Sequence, residues 1–70
     1  MNFYEELVYS EDNIEKTYRI RIANGNQYKF YKKEANLDWS KENQMLVFTD
    51  TDNNRVALNW LQIESVIEEI

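Results

Sequence analysis

A single glycine in seventy residues, with no proline at all, leaves this chain very few places where the backbone can reverse sharply without strain. That glycine, Gly25, lies inside the stretch Thr17–Tyr31, TYRIRIANGNQYKFY. On one side of it Tyr18, Ile20 and Ile22 alternate with Arg19 and Arg21. On the other side Tyr28 and Phe30 alternate with Gln27, Lys29 and Tyr31. Period-2 alternation on both flanks of an Ala-Asn-Gly turn reads as a β-hairpin. A two-residue loop at Asn24-Gly25 pairs Ile22 with Gln27 and Ile20 with Lys29, mixing the two faces. A three-residue loop, with Ala23 and Asn24 in a type I turn and Gly25 as the left-handed bulge, pairs Ile20 with Tyr28 and Tyr18 with Phe30. Only the second register keeps the apolar sets together, so it is the one expected.

The remaining segments are read outward from this hairpin. Phe3–Tyr9, FYEELVY, fits a helical stripe (Phe3/Leu7, Tyr4/Val8) and a strand face (Phe3, Leu7, Tyr9) equally well. Ser10–Asn13 is a polar turn, and Lys32–Asn36 a polar bend before a brief alternation at Leu37–Trp39. Ser40–Asn43 is a further turn. Met45–Phe48 is a continuous apolar run, as for a strand covered on both sides. Asp50–Asn54, DTDNN, is a loop, and Arg55–Asn59 alternates with Val56 and Leu58 on one face. In the tail, Trp60–Ile70 can be drawn as a helix capped by Asn59 and Gln62. A tight turn at Asn59–Gln62 followed by a β-branched strand at Ile63–Ile67 is preferred, because such a strand closes the sheet and removes an open edge. Ile20, Tyr28, Phe30, Val47, Leu58 and Ile63 are the expected core.

This order of pieces resembles the Sm-like and SH3-like small β-barrels. The resemblance covers about Thr17–Glu68 and is carried by IANG at the first hairpin, MLVF in the middle and VALNWLQIESV at the end. It implies a mostly β domain, a five- to six-stranded small barrel or highly bent sheet with room for a short N-terminal helix, occupying residues 1–70 as one domain. The Sm family's Asp-x-x-x-Asn uridine pocket has no counterpart here. The segment Gln27–Tyr31 also lacks the family's second-strand glycine, so no RNA-binding residue is carried over.

The composition bears on function mainly through what is missing. There is no His and no Cys, which removes disulfides, soft-metal sites and the side chains that most often titrate near neutral pH. Asp50 and Asp52 are the one pair placed to hold a cation. An EF-hand loop counted from Asp50 has Arg55 where glycine belongs and Leu61 where glutamate belongs, so the pair reads as an Asx-rich turn. One glycine cannot build a phosphate-cradling loop. The sequence therefore reads as non-enzymatic, with no cofactor and no metal. The start MNFYEEL has no basic leader and no apolar run reaches a membrane span, so a cytoplasmic location is expected.

Charge supplies the functional hypotheses. Residues 1–15 carry five acids and no base, residues 16–33 carry six bases and no acid, and residues 34–70 hold eight acids against Lys41 and Arg55. The hairpin is a basic insert in a chain of net charge −5. On the expected register Arg19 faces Lys29, with Arg21 and Tyr31 nearby. Like charges directly opposite are destabilising unless something neutralises them. Acidic flanks such as Glu5, Glu6, Glu11, Asp12 and Glu15 are one source of neutralisation; nucleic-acid phosphates are another. One functional reading makes the chain a small acidic protein-binding module, a stoichiometric inhibitor or adaptor of the phage type. Its Asp50, Asp52, Glu64, Glu68 and Glu69 would form a partner-binding acidic face, as in DNA-mimicking inhibitors. The second makes it an Sm-like nucleic-acid-binding subunit using Arg19, Arg21, Lys29 and Tyr31. Homo-oligomerisation is compatible with both.

The register argument generates its own test. Gly25→Val forces a β-branched residue into a left-handed position and is expected to lower unfolding stability by about 1–3 kcal/mol in a denaturant titration.

Overall fold

The computed structural model describes residues 3–69. The chain is mostly β: two three-stranded antiparallel sheets and one short helix. Helix α1 spans Phe3–Tyr9. The strands are β1 (Thr17–Ile22), β2 (Gln27–Tyr31), β3 (Asp38–Ser40), β4 (Met45–Thr49), β5 (Arg55–Asn59) and β6 (Ile63–Glu69). A single 3₁₀ turn, Trp60–Gln62, joins the last two. One sheet has the order β2-β1-β6 and the other β3-β4-β5.

The hairpin takes the three-residue loop. Ile20 stands opposite Tyr28, and Tyr18 opposite Phe30. The Gly25 amide donates to the Ile22 carbonyl at 2.9 Å, and Gly25 has φ +92°. A Cβ there would meet no atom within 4 Å, so the strain of a larger residue lies in the backbone alone. The inward set (Tyr18, Ile20, Ile22, Phe30) is buried, while Arg19 and Arg21 point to solvent.

The second sheet is a meander. Each of its approaches contains one residue at positive φ: Asn36 in the bend before β3, Gln44 immediately before β4 and Asn53 in the loop before β5; asparagine tolerates that region better than most side chains. In β4 the apolar run divides by parity. Leu46 and Phe48 are fully buried, with Leu46 opposite Leu58 and Phe48 opposite Val56. Val47, expected in the core, turns outward opposite Ala57 and is half-buried. Tyr28 and Ile63, also expected there, pack half-buried against the core rather than within it. Ala35 and Trp39 are buried instead.

The two ambiguous termini resolve differently from one another. Phe3–Tyr9 is helical. A seven-residue helix has little stability of its own, and this one is held by burying Leu7 and by stacking Tyr4 on Trp39, ring centroids 5.3 Å apart. In the tail, Asn59 caps the 3₁₀ turn, its side chain accepting from the Leu61 amide at 2.9 Å. The chain then enters β6, the expected strand. However, β6 covers the edge of β1 and, among the described residues, pairs with no second strand, so the expected closure is not seen. The chain leaves the first sheet at Tyr31 and re-enters a strand at Asp38, so no described strand belongs to both sheets.

Side chains and loops join the sheets. Phe30 and Phe48 meet at 4.8 Å between centroids, with Tyr18 against Phe30 and Tyr28 against Phe48. The Thr51 amide donates to the Lys29 carbonyl at 2.9 Å, laying the β4–β5 loop along the outer edge of β2. Arg55 donates to the Ala35 and Asn36 carbonyls at 3.1 and 2.7 Å, tying the polar bend to β5. The parity of β4 is testable by a pair of truncations. Leu46→Ala is expected to lower stability by about 2–5 kcal/mol. Val47→Ala, on the half-exposed face, is expected to lower it by no more than about 1 kcal/mol.

Candidate interaction face on the hairpin sheet

The alternation that buries Tyr18, Ile20 and Ile22 forces Arg19 and Arg21 onto the opposite face of the same sheet. Pairing then sets their neighbours. Arg19 lies opposite Lys29 on one side and opposite Ile67 on the other; Arg21 lies opposite Gln27 and Ser65; Thr17 lies opposite Tyr31 and Glu69. The outer face of β2-β1-β6 thus carries bases on two strands and acids on the third.

Glu69 neutralises the like-charge pair. One of its carboxylate oxygens is 2.6 Å from Arg19 Nη2 and the other 3.1 Å from Lys29 Nζ. Arg21 Nε lies 3.7 Å from Glu64, and Lys16 Nζ lies 3.2 Å from Glu68 at the end of the sheet. Glu64 reaches Arg21 because β6 carries a bulge there: Arg21 pairs with Ser65 but Ile22 with Ile63, so Glu64 is the extra residue. Neutralisation therefore comes chiefly from the C-terminal strand. Among the N-terminal acids, Glu15 reaches Lys33 at 4.0 Å. Asp12 contributes through its main-chain carbonyl, which accepts from Lys32 Nζ at 2.7 Å, and Lys32 is buried.

The acids expected to act together are placed in two groups. Glu64, Glu68 and Glu69 are on β6, each beside a base. Asp50 and Asp52 are on the β4–β5 loop, where Asp50 Oδ1 accepts from the Asp52 and Asn54 amides at 3.0 and 2.8 Å and shapes the turn. That loop faces the hairpin across a shallow groove of about 420 Å³, with Arg19, Tyr28 and Lys29 on one bank and Asp50, Thr51 and Asp52 on the other. Among the described residues no three carboxylates converge where they would hold a metal ion.

Two further features escaped the sequence reading. Ile67 is 55% exposed on the edge strand of this charged face, directly across from Arg19; only the tail's strand register, which alternation there left open, would have shown it. Tyr18 is coupled to the rim of the face. Burial raises its pKa above the ordinary tyrosine value, Glu68 raises it further, and a hydrogen bond from the Asn13 side chain opposes both. In β3 of the second sheet the indole N–H of Trp39 is buried with no hydrogen-bond partner among the described residues.

No protein-family model matches the chain, and no curated protein sequence matches it. A solved structure is similar in fold. It is an X-ray structure from the Northeast Structural Genomics Consortium, with a TM-score of 0.62 and 16% identity, and the alignment covers 79% of this chain and 93% of that one. At that identity the likeness is one of fold alone. No helix among the described residues is long and apolar enough to cross a membrane.

The bridging carboxylate has a measurable consequence. Glu69→Gln leaves Arg19 and Lys29 opposed and is expected to lower stability by about 0.5–1 kcal/mol, since these side chains are partly exposed. The deficit should shrink as salt is raised, because screening weakens the repulsion that remains.

Proposed function

We propose that this chain is a non-enzymatic, cytoplasmic protein-binding module, an inhibitor or adaptor that works by occupying a partner's surface with the outer face of β2-β1-β6. One observation carries the reading: an exposed apolar side chain, Ile67, sits among charges that are already neutralised within the molecule. An exposed apolar side chain bordered by satisfied charges gives a protein–protein contact an anchor that needs no further ion to be displaced. Bases held in ion pairs with Glu64 and Glu69 are poorly placed to collect phosphates, because each phosphate must first displace a carboxylate. This favours a protein partner over the nucleic-acid alternative that Arg19, Arg21, Lys29 and Tyr31 suggest. The acidic surface of the proposal is correspondingly the β6 edge of this sheet: Glu64 and Glu69 beside the outer face, and Glu68 at the sheet's end on the Tyr18 side, with Asp50 and Asp52 bordering the face across the groove. The fold behind it is read as an open form of the small SH3-like or Sm-like barrel, with the 3₁₀ corner before the last strand as the shared feature.

The test is capture of a partner from host extract, followed by affinity measurement with the purified pair. Ile67→Asp is expected to weaken binding by at least about tenfold while leaving the unfolding midpoint almost unchanged, since the residue is exposed. Reversing Glu64, Glu68 and Glu69 to Lys should abolish binding. Binding that survives both changes, or a captured partner that proves to be RNA or DNA, would overturn the reading.

A further inference from the structure

Lysine is seldom buried without a charged partner, because a neutral group replaces the water around an ammonium poorly. Lys32, just after β2, is 8% exposed and is the only buried charged residue among those described. Its Nζ donates to the Asp12 main-chain carbonyl at 2.7 Å, which uses one of three donors. Of the six bases in residues 16–33, Lys16, Arg19, Arg21, Lys29 and Lys33 each form an ion pair. Among the described residues Lys32 alone of the six, and the most buried, has only a neutral oxygen.

Beside it lies a cavity of about 200 Å³ between α1, the turn that follows, β1 and the end of β2, several times the room one water needs. Tyr18 and Ser10 line it with further donors. Tyr18 keeps its proton, because burial and Glu68 raise its pKa, and the bond from the Asn13 side chain leaves that hydrogen to give. Ser10 Oγ accepts from the Asp12 amide at 3.0 Å, so its own hydrogen is also uncommitted there. Glu6 and Asp12 line the cavity too, but both are exposed. Water therefore screens them, while the buried ammonium acts at close range. Lys32 also borders a hollow of about 210 Å³ toward Leu37, but no other buried residue lines that one.

We infer that the first cavity binds a small aliphatic monocarboxylate, its oxygens taken by Lys32 Nζ and the Tyr18 hydroxyl and its alkyl part laid against Leu7 and Phe3. A carboxylate supplies the missing counter-charge and offers acceptors only, which suits a set of converging donors. A doubly charged phosphate adds repulsion from Glu6 and Asp12, and a cation meets Lys32; both are poorer occupants. An apolar wall with a few placed polar groups is the usual build of a small-molecule site. The cavity is on the inward side of β1, opposite the face used in the protein-binding reading, so either reading can fail alone.

The probe is isovalerate, titrated into the full 70-residue chain in a buffer free of other carboxylates and of phosphate, with backbone amide shifts followed by NMR. The expected result is a saturable change at millimolar ligand, concentrated in Leu7, Ser10, Asn13, Tyr18 and Lys32. Isovaleramide has the same shape without the charge and should bind at least about tenfold more weakly. Inorganic phosphate should also bind more weakly than isovalerate. Lys32→Gln keeps a donor for the Asp12 carbonyl and should weaken isovalerate at least about tenfold. Tyr18→Phe keeps the ring in the core and should weaken it about threefold or more, which tests the site even if the Lys32 variant does not fold. No saturable change, shifts mapping to other residues, equal binding by the amide, tighter binding by phosphate, or unchanged affinity in Tyr18→Phe would each overturn the inference.

Discussion

The contact between Phe30 and Phe48, 4.8 Å between ring centroids, is where the two sheets become one core. Among the described residues no strand pairing joins β2-β1-β6 to β3-β4-β5, so the rings and their buried neighbours Ile20 and Leu46 do what a continuous ladder would do elsewhere. A chain this short buries only a modest share of its surface on folding, and large aromatic rings are an efficient way to use that share. Tyr18 and Tyr28 extend the stack at either side, and Tyr4 on Trp39 continues aromatic packing up to α1.

Everything on the outer face follows from that inward set. Once Tyr18, Ile20 and Phe30 are committed to the core, period-2 geometry places Arg19 and Lys29 side by side in solvent. The repulsion this creates is offset by Glu69 on the neighbouring strand. Fold and surface charge are therefore coupled through one register. Sliding β6 by one residue would expose Val66, bury Ile67 and remove the carboxylate from the two bases.

The hairpin was legible in the sequence because two independent signals agreed: alternation on both flanks, and one glycine placed where only the three-residue loop keeps the faces unmixed. The DTDNN loop and the Arg55–Asn59 strand were legible for similar reasons. The face of Met45–Phe48 was not, since every residue in the run is apolar and parity is fixed only by pairing Leu46 with Leu58. Phe3–Tyr9 was undecidable locally because tertiary packing, not propensity, sustains so short a helix. Charge neutralisation was anticipated but its main source was not. The acids nearest in sequence, Glu5 to Glu15, were the evident partners, whereas strand pairing brings in Glu64 to Glu69 from some forty residues further along. That β6 pairs with β1 alone among the described residues was likewise invisible, because a closing strand and an edge strand have the same local sequence.

The hairpin bases are engaged by β6, and the proposed protein-binding role implies that they form no phosphate track. Fluorescence anisotropy of a labelled single-stranded oligonucleotide, titrated with the wild-type chain at low salt, tests it most directly. The account predicts no saturable binding at micromolar protein. Saturable binding that weakens linearly with the logarithm of salt concentration, with a slope indicating about two or more released counterions, would contradict it.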